Sequence, residues 1–263
     1  MLRSIAERVA RRIVIRRRLP SAFGRRPFYA TPDSALAYLK PGFAAFNDLI
    51  AVAAEFVQEG DCVWDIGGNV GIFSFLSSHR VGDSGTVVCV EPDPVLASLI
   101  QRSAQLPQNL DRAIHVLCAA VSSTTEVAQF SIAERGRSSN SLQKTGHRTQ
   151  AGGSRYTQFV PTITLDTMLS AFSPPTFIKI DVEGAEQLVL EGGRKLFEQY
   201  RPRLYVEVGP QQFTGVTAIL RSLDYQVFDG TQPIAGQQPG ATCVFNTLAV
   251  PAEQSLLRPA RAA

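Results

Sequence analysis

CVWDIGGNVG (62–71) decides how this 263-residue chain is read. Five residues suited to a buried strand, Cys62 to Ile66, run into a glycine turn, and Gly71 to Arg80 then reads as a helix. TVVCVE (86–91) is a second strand, and Pro94 to Gln105 is a second helix with Asp93 as its N-cap. IHVLCAAV (114–121) gives a third strand and VAQFSIA (127–133) a further extended piece. Beyond a Ser/Gly/Thr-rich stretch, 134–158, read as an insertion or variable loop, come FVPTITL (159–165), FIKIDV (177–182) and a helix from about Ala185 to Tyr200. RLYVEV (203–208), helix 211–223, YQVFD (225–229) and TCVFNTLAV (242–250) complete the pattern. Alternating strands and helices predict an α/β fold, a doubly wound, mostly parallel seven-stranded sheet with right-handed crossovers. The last two strands are joined without a helix across 230–241, so they pair antiparallel and one strand near the sheet edge is reversed.

Working outward, the chain divides into a basic tail or amphipathic helix (1–26), a helical segment (27–60), the α/β domain (61–251) and a C-terminal tail (252–263). Residues 1–26 hold nine Arg and one Glu, a net +8 within a total of +3, which leaves −5 on the other 237 residues. A body of that sign does not suit nucleic acid, so none is expected as a partner of the core. In the tail, Leu2, Ile5, Val9 and Ile13 recur at helical spacing between arginines, which suits contact with an anionic membrane surface. No apolar stretch there is long enough for a membrane span or a signal-peptide core, so a cytoplasmic protein is expected, with residues 1–26 read first as a solvated basic tail and, as alternatives, as a peripheral contact with an anionic membrane or with a partner or RNA. The four cysteines are widely spaced, and Cys62, Cys89 and Cys118 fall inside apparent strands, so they read as reduced core residues.

The glycine turn ends the first strand and Glu91 ends the second, twenty residues after Gly71. Glycines let the backbone approach a nucleoside ligand, and a carboxylate at the next strand tip accepts hydrogen bonds from ribose hydroxyls. A dinucleotide fingerprint needs glycine where Ile66 stands, and Asp65 would repel a diphosphate. An acidic residue before the glycines suits a cationic ligand without a diphosphate, which S-adenosylmethionine is. The expected cofactor contacts are Asp65, Gly67, Gly68, Asn69, Gly71, Glu91, Pro92, Ala119, Ala120 and Asp181, with adenine held by backbone and apolar contacts around Ala119-Ala120.

FIKIDVEGAE (177–186) brings Asp181 to the tip of the strand after the switch point, facing the same crevice as Gly67. Glu183 and Glu186 sit at the start of the next helix, where capping explains at least one of them. Glu207, at the tip of the following strand, is a third acid directed at the pocket. Histidines 79, 115 and 147 have no metal-ligand spacing, and the expected metal set is none.

With VWDIGGNVGIFS (63–74), VEPDP (90–94), AAVSS (119–123), NSL (140–142), TLD (164–166), FIKIDVEGAEQLVLEGG (177–193), YVEV (205–208) and NTLAVP (246–251), the chain resembles an FkbM-family methyltransferase of the class I S-adenosylmethionine-dependent fold. The resemblance implies an O-methyltransferase acting on a hydroxyl of a sugar, glycolipid or natural product, hence a small-molecule or glycan acceptor. Gly68 replaces the family's usual Ala, and Gly209 stands where many members have His, so the base falls to Asp181, Glu183 or Glu207. Related catechol-type enzymes place metal-binding acids at such strand tips, and Asp181 with Glu207 is the corresponding alternative. Nucleobase amine methylation is disfavoured because Pro174-Pro175 precedes the fourth strand instead of following it. The rivals are an RNA or protein methyltransferase guided by the basic terminus and a non-catalytic Rossmann-like binding protein.

Overall fold

The computed structural model describes residues 13–134, 136–142, 153–233 and 236–254. Strands β1 (Ile15–Arg18) and β2 (Pro27–Ala30) form an antiparallel hairpin ahead of helix α1 (Asn47–Phe56). The alternation begins with β3 (Cys62–Ile66), α2 (Ile72–Val81), β4 (Thr86–Val90), α3 (Pro94–Ala104) and β5 (Ala113–Leu117). Then β6 (Ala120–Val121), β7 (Val127–Ala133), β8 (Ser141–Leu142) and β9 (Ser154–Ile163) leave the main sheet for a smaller one. Helix α4 (Leu165–Met168), β10 (Phe177–Ile180), α5 (Glu186–Glu191), α6 (Arg194–Tyr200), β11 (Arg203–Glu207), α7 (Phe213–Ser222), β12 (Tyr225–Asp229) and β13 (Asn246–Pro251) follow.

The main sheet has seven strands in the order β12-β13-β11-β10-β3-β4-β5. Only β13 is reversed, antiparallel to β11 and β12, as the missing helix between the last two strands requires. Chain order reverses between β3 and β10, and the switch point opens a crevice beyond their carboxyl ends. Helices cover both faces, so the central strands are mostly apolar, and Trp64, Phe73, Phe75, Phe177 and Phe197 are fully buried.

Several sequence expectations need correction. Helix 185–200 is two helices, broken at Gly192-Gly193, where the backbone packs so closely that a Cβ on Gly192 would lie 2.2 Å from the Ser122 carbonyl oxygen. The third strand stops at Leu117, and Ala120-Val121 pair with β9 instead, which leaves Cys118 exposed and outside the core. The stretch 134–158 is only partly loop: Ser154 to Gln158 pair with β7, and the polar residues of this half-exposed strand conceal it. The segment 27–60, expected to be helical, opens with strand β2, and its α-helix starts only at Asn47, after a 3-10 turn.

The tail boundary at residue 26 also fails. Within 13–26 the chain is strand and 3-10 turn, and Leu19 and Phe23 are buried in the core. Arg17 caps the carbonyls of Tyr38, Lys40 and Gly42, while Arg26 makes a forked pair with Asp111 at 2.7 and 2.8 Å. Arg17 and Arg26 are therefore structural, and the amphipathic-helix reading of residues 1–12 lies outside the described residues. Among the described residues no helix is long and apolar enough to cross a membrane.

Candidate active site

Strand β3 delivers the chain to the glycine turn with Gly67 at φ +79° and Asn69 at φ +57°. A Cβ on Gly67 would lie 1.9 Å from the Asp181 carbonyl oxygen, so only glycine lets the turn sit against the tip of β10. The left-handed backbone of Asn69 aims its N–H at Glu91, whose Oε2 accepts it at 2.7 Å. Oε1 of Glu91 accepts the N–H of Asp93 at 2.8 Å. Burial pushes the Glu91 carboxyl up to about 8, although both N–H groups pull it down.

A buried ionic clamp fixes the loop that carries Glu91. Asp93 caps α3 through Oδ1, accepting from Val95 N at 2.9 Å, while Oδ2 accepts from Arg137 at 2.5 Å and Asn140 at 2.9 Å. The same Arg137 donates to Asp33 at 2.6 Å, and Arg155 reaches Asp33 at 2.9 Å. Burial disfavours the Asp33 carboxylate, yet Arg155 and Arg137 hold it below its ordinary range. The N-terminal segment, the small sheet and the start of α3 thus meet at one point beside the crevice. Ser34 adds a hydrogen bond from that segment to the Asn69 side chain.

Lys179, on β10, is buried beneath the glycine turn. Its ammonium donates to the Gly67 carbonyl at 3.1 Å and pairs with Asp65 at 3.4 Å and Asp181 at 3.2 Å. Burial opposes its charge, but Asp181 and Asp65 outweigh that and raise its pKa above that of an ordinary lysine. The carboxylates of Asp181, Glu183 and Glu207 lie within 4.8 Å of one another.

Two open clefts meet at this cluster. The first, with about 890 Å³ of empty space, is lined by Gly67, Asn69, Glu91, Pro92, Ala119, Ala120, Asp181, Glu183 and Glu207 among others. The second, about 950 Å³, runs between the N-terminal segment and the tips of β10 and β11, along Tyr38, Phe46, Asp48, Tyr205 and Phe245. Asn69, Ser138, Asp181 and Glu207 line both.

Most of the residues expected from sequence therefore border one crevice, but three serve differently. Asp65 is fully buried, accepts from Ser74 at 2.6 Å and lines neither cleft, so its charge answers Lys179 and not a cationic ligand. Gly71, at φ +85°, is packed against Phe75 and Ile100 and is structural. Gly68 borders the second cleft, not the first, and a Cβ there would meet Cys89 Sγ at 2.1 Å. Glu186, the first residue of α5, accepts from Gly184 N at 2.8 Å, just ahead of the Ala185 N-cap. Sequence reasoning missed Arg137 and Asp33, since an arginine in a polar stretch and an aspartate 104 residues away carry no local sign of pairing.

Among solved structures, the chain is similar to methyltransferase FkbM from Methylobacillus flagellatus KT, at 16% identity and TM-score 0.43 over 74% of this chain and 44% of that one. It is similar to an S-adenosylmethionine-dependent O-methyltransferase from Thermotoga maritima, at 13% identity and TM-score 0.46, covering 87% of this chain and 75% of that one. A predicted O-methyltransferase from Agrobacterium tumefaciens matches at 15% identity and TM-score 0.46, over 80% and 83% respectively. No curated protein matches the chain. The methyltransferase FkbM domain model matches residues 65–227, which hold the glycine turn, Glu91 and the acid cluster. That span is more than half of the chain, and the chain belongs to this family, whose methyl donor is S-adenosylmethionine.

Proposed function

We propose that the protein O-methylates a hydroxyl of a sugar, glycolipid or natural product, with the donor in the first cleft and the acceptor in the second. The observation that carries this reading is the junction: Asp181 and Glu207 stand where the two clefts meet. The first cleft fits the donor. Each Glu91 oxygen accepts one backbone N–H and keeps a lone pair for a ribose hydroxyl, and Ala119-Ala120 give a small apolar wall for adenine. When bound, the donor supplies an activated methyl group on a sulfonium. The chain's part is alignment and proton removal, because an alcohol loses its proton as it attacks. A carboxylate at the junction suits that task. The chain after β10 reads Asp181-Val182-Glu183-Gly184, not a nucleobase-type Pro-Pro turn, which favours oxygen over ring-amine acceptors.

Incubation of the full chain with S-adenosylmethionine and fractionated metabolites and glycans, followed by mass spectrometry, tests the reading. The expected product is a hydroxyl-bearing small molecule or glycan heavier by one methylene. Methyl transfer to RNA or protein alone overturns it, and so does donor binding with no transfer to any fraction.

Glu91 makes a separate prediction. Its folded pKa of about 8 lies above the ordinary 4.5, so its stabilising contribution is present below about 4.5 and lost as the pH rises through 8. Ribose hydroxyls donate to the ionised form, so binding of S-adenosylhomocysteine near neutral pH releases a proton. Affinity therefore rises with pH and levels off above about 8. Calorimetry in buffers of different ionisation enthalpy reads this proton directly, and pH-independent binding refutes it. Glu91→Ala removes both ribose bonds and weakens binding by about 2–3 kcal/mol.

A further inference from the structure

We infer that the β1–β2 hairpin and the adjoining ends of α2 and β5 form a docking surface for anionic membrane lipids. Arg16, Arg18 and Arg25 are exposed. Among the described residues none of the three pairs with a carboxylate: Arg16 donates to Gln108 at 3.3 Å and Arg18 to the Arg25 carbonyl at 3.4 Å. The surface continues without a break. Gly24 abuts His79 at the end of α2, and burial together with Arg26, Arg112 and Arg80 lowers the His79 pKa. Among the described residues Asp111 and Asp83 pair with Arg26 and Arg112, and Glu59 lies against Gly82 just past α2, which leaves Arg16, Arg18 and Arg25 as the uncompensated charge of this surface. Such a surplus of positive charge, on a chain whose remainder is acidic, is complementary to a polyanionic plane.

Two features favour lipid over nucleic acid. Ile13 and Val14, 37% and 44% exposed, lead into β1 and offer apolar atoms to an acyl boundary. Of the aromatic rings in the hairpin, Phe23 and Phe28 are buried and Tyr29 is covered by the Arg102 guanidinium at 4.8 Å, so none of them is open to base stacking. Arg80 and Arg112 lie at the end of the main sheet where its parallel strands begin, whereas the two clefts lie where they end. Docking through this surface leaves the clefts open to water.

The test is sedimentation of the full chain with phosphatidylcholine vesicles, with and without phosphatidylglycerol, at low and raised salt. Binding is expected only to the anionic vesicles and weakens as salt screens it. Each arginine near such a surface contributes about 1 kcal/mol, or about fivefold, so R16E/R18E/R25E is expected to lower partitioning by more than ~100-fold. R16K/R18K/R25K keeps the charge and keeps partitioning. Affinity for S-adenosylhomocysteine stays unchanged in both variants, which shows that they fold. Equal binding to neutral vesicles, no binding to either, undiminished binding of the Glu variant, or capture of RNA without vesicles overturns the inference.

Discussion

Asp181→Asn is expected to lower kcat by about 10²–10⁴-fold while leaving affinity for S-adenosylhomocysteine unchanged, since general-base assistance has that magnitude and Asn keeps the shape without the proton affinity. Three explanations of Asp181 compete, and the structure removes one. Helix α5 begins at Glu186 with Ala185 as its N-cap, and the Gly184 N–H goes to Glu186, so Asp181 does not cap that helix. The second explanation is a divalent ion held by Asp181, Glu183 and Glu207, whose carboxylates lie within 4.8 Å. It predicts that a chelator abolishes wild-type activity and that added metal restores it. The third is the proposed base, for which chelator has no effect and the acid limb of the pH–rate profile disappears in the variant. An unchanged kcat assigns the proton to Glu207, the other carboxylate that lines both clefts.

The fold was legible because its signals are local. Glycines after a strand and Asp93 before Pro94 each report a backbone requirement within a few residues, and each is met. The missing helix before β13 likewise dictated its reversal. What stayed hidden depends on partners distant in the chain. Nothing around Asp65 says whether its charge faces a ligand or a lysine 114 positions later, and that question decides whether it touches the donor. Arg17 and Arg26 share the composition of Arg16 and Arg18, yet one pair satisfies carbonyls and Asp111 while the other faces outward. Alternation along β1 separates Arg17 from Arg16 and Arg18, and only the distant Asp111 separates Arg26. The strand in 154–158 was concealed for a related reason: its sheet is solvated on one face, so polar residues dominate its sequence.

Lys179→Met tests whether the charge beneath the glycine turn is a structural necessity. Asp65 is fully buried, and Lys179 is its only cationic partner among the described residues. Taking away one member of a buried pair strands the other, at a cost of about 3–5 kcal/mol. For a chain of this size that is a fall in Tm of roughly 10 °C. The decisive measurement is D65N/K179M, which removes both charges and retains the polar group that accepts from Ser74. If the stranded charge is the cause, the double variant regains most of the lost stability, since a buried pair replaced as a unit is close to neutral. If the Gly67 carbonyl needs its hydrogen bond from Lys179, stability returns but affinity for S-adenosylhomocysteine does not, because the turn is then free to shift away from Asn69 and Glu91. A double variant as unstable as Lys179→Met alone shows that packing of the lysine stem, and not its charge, supports the turn.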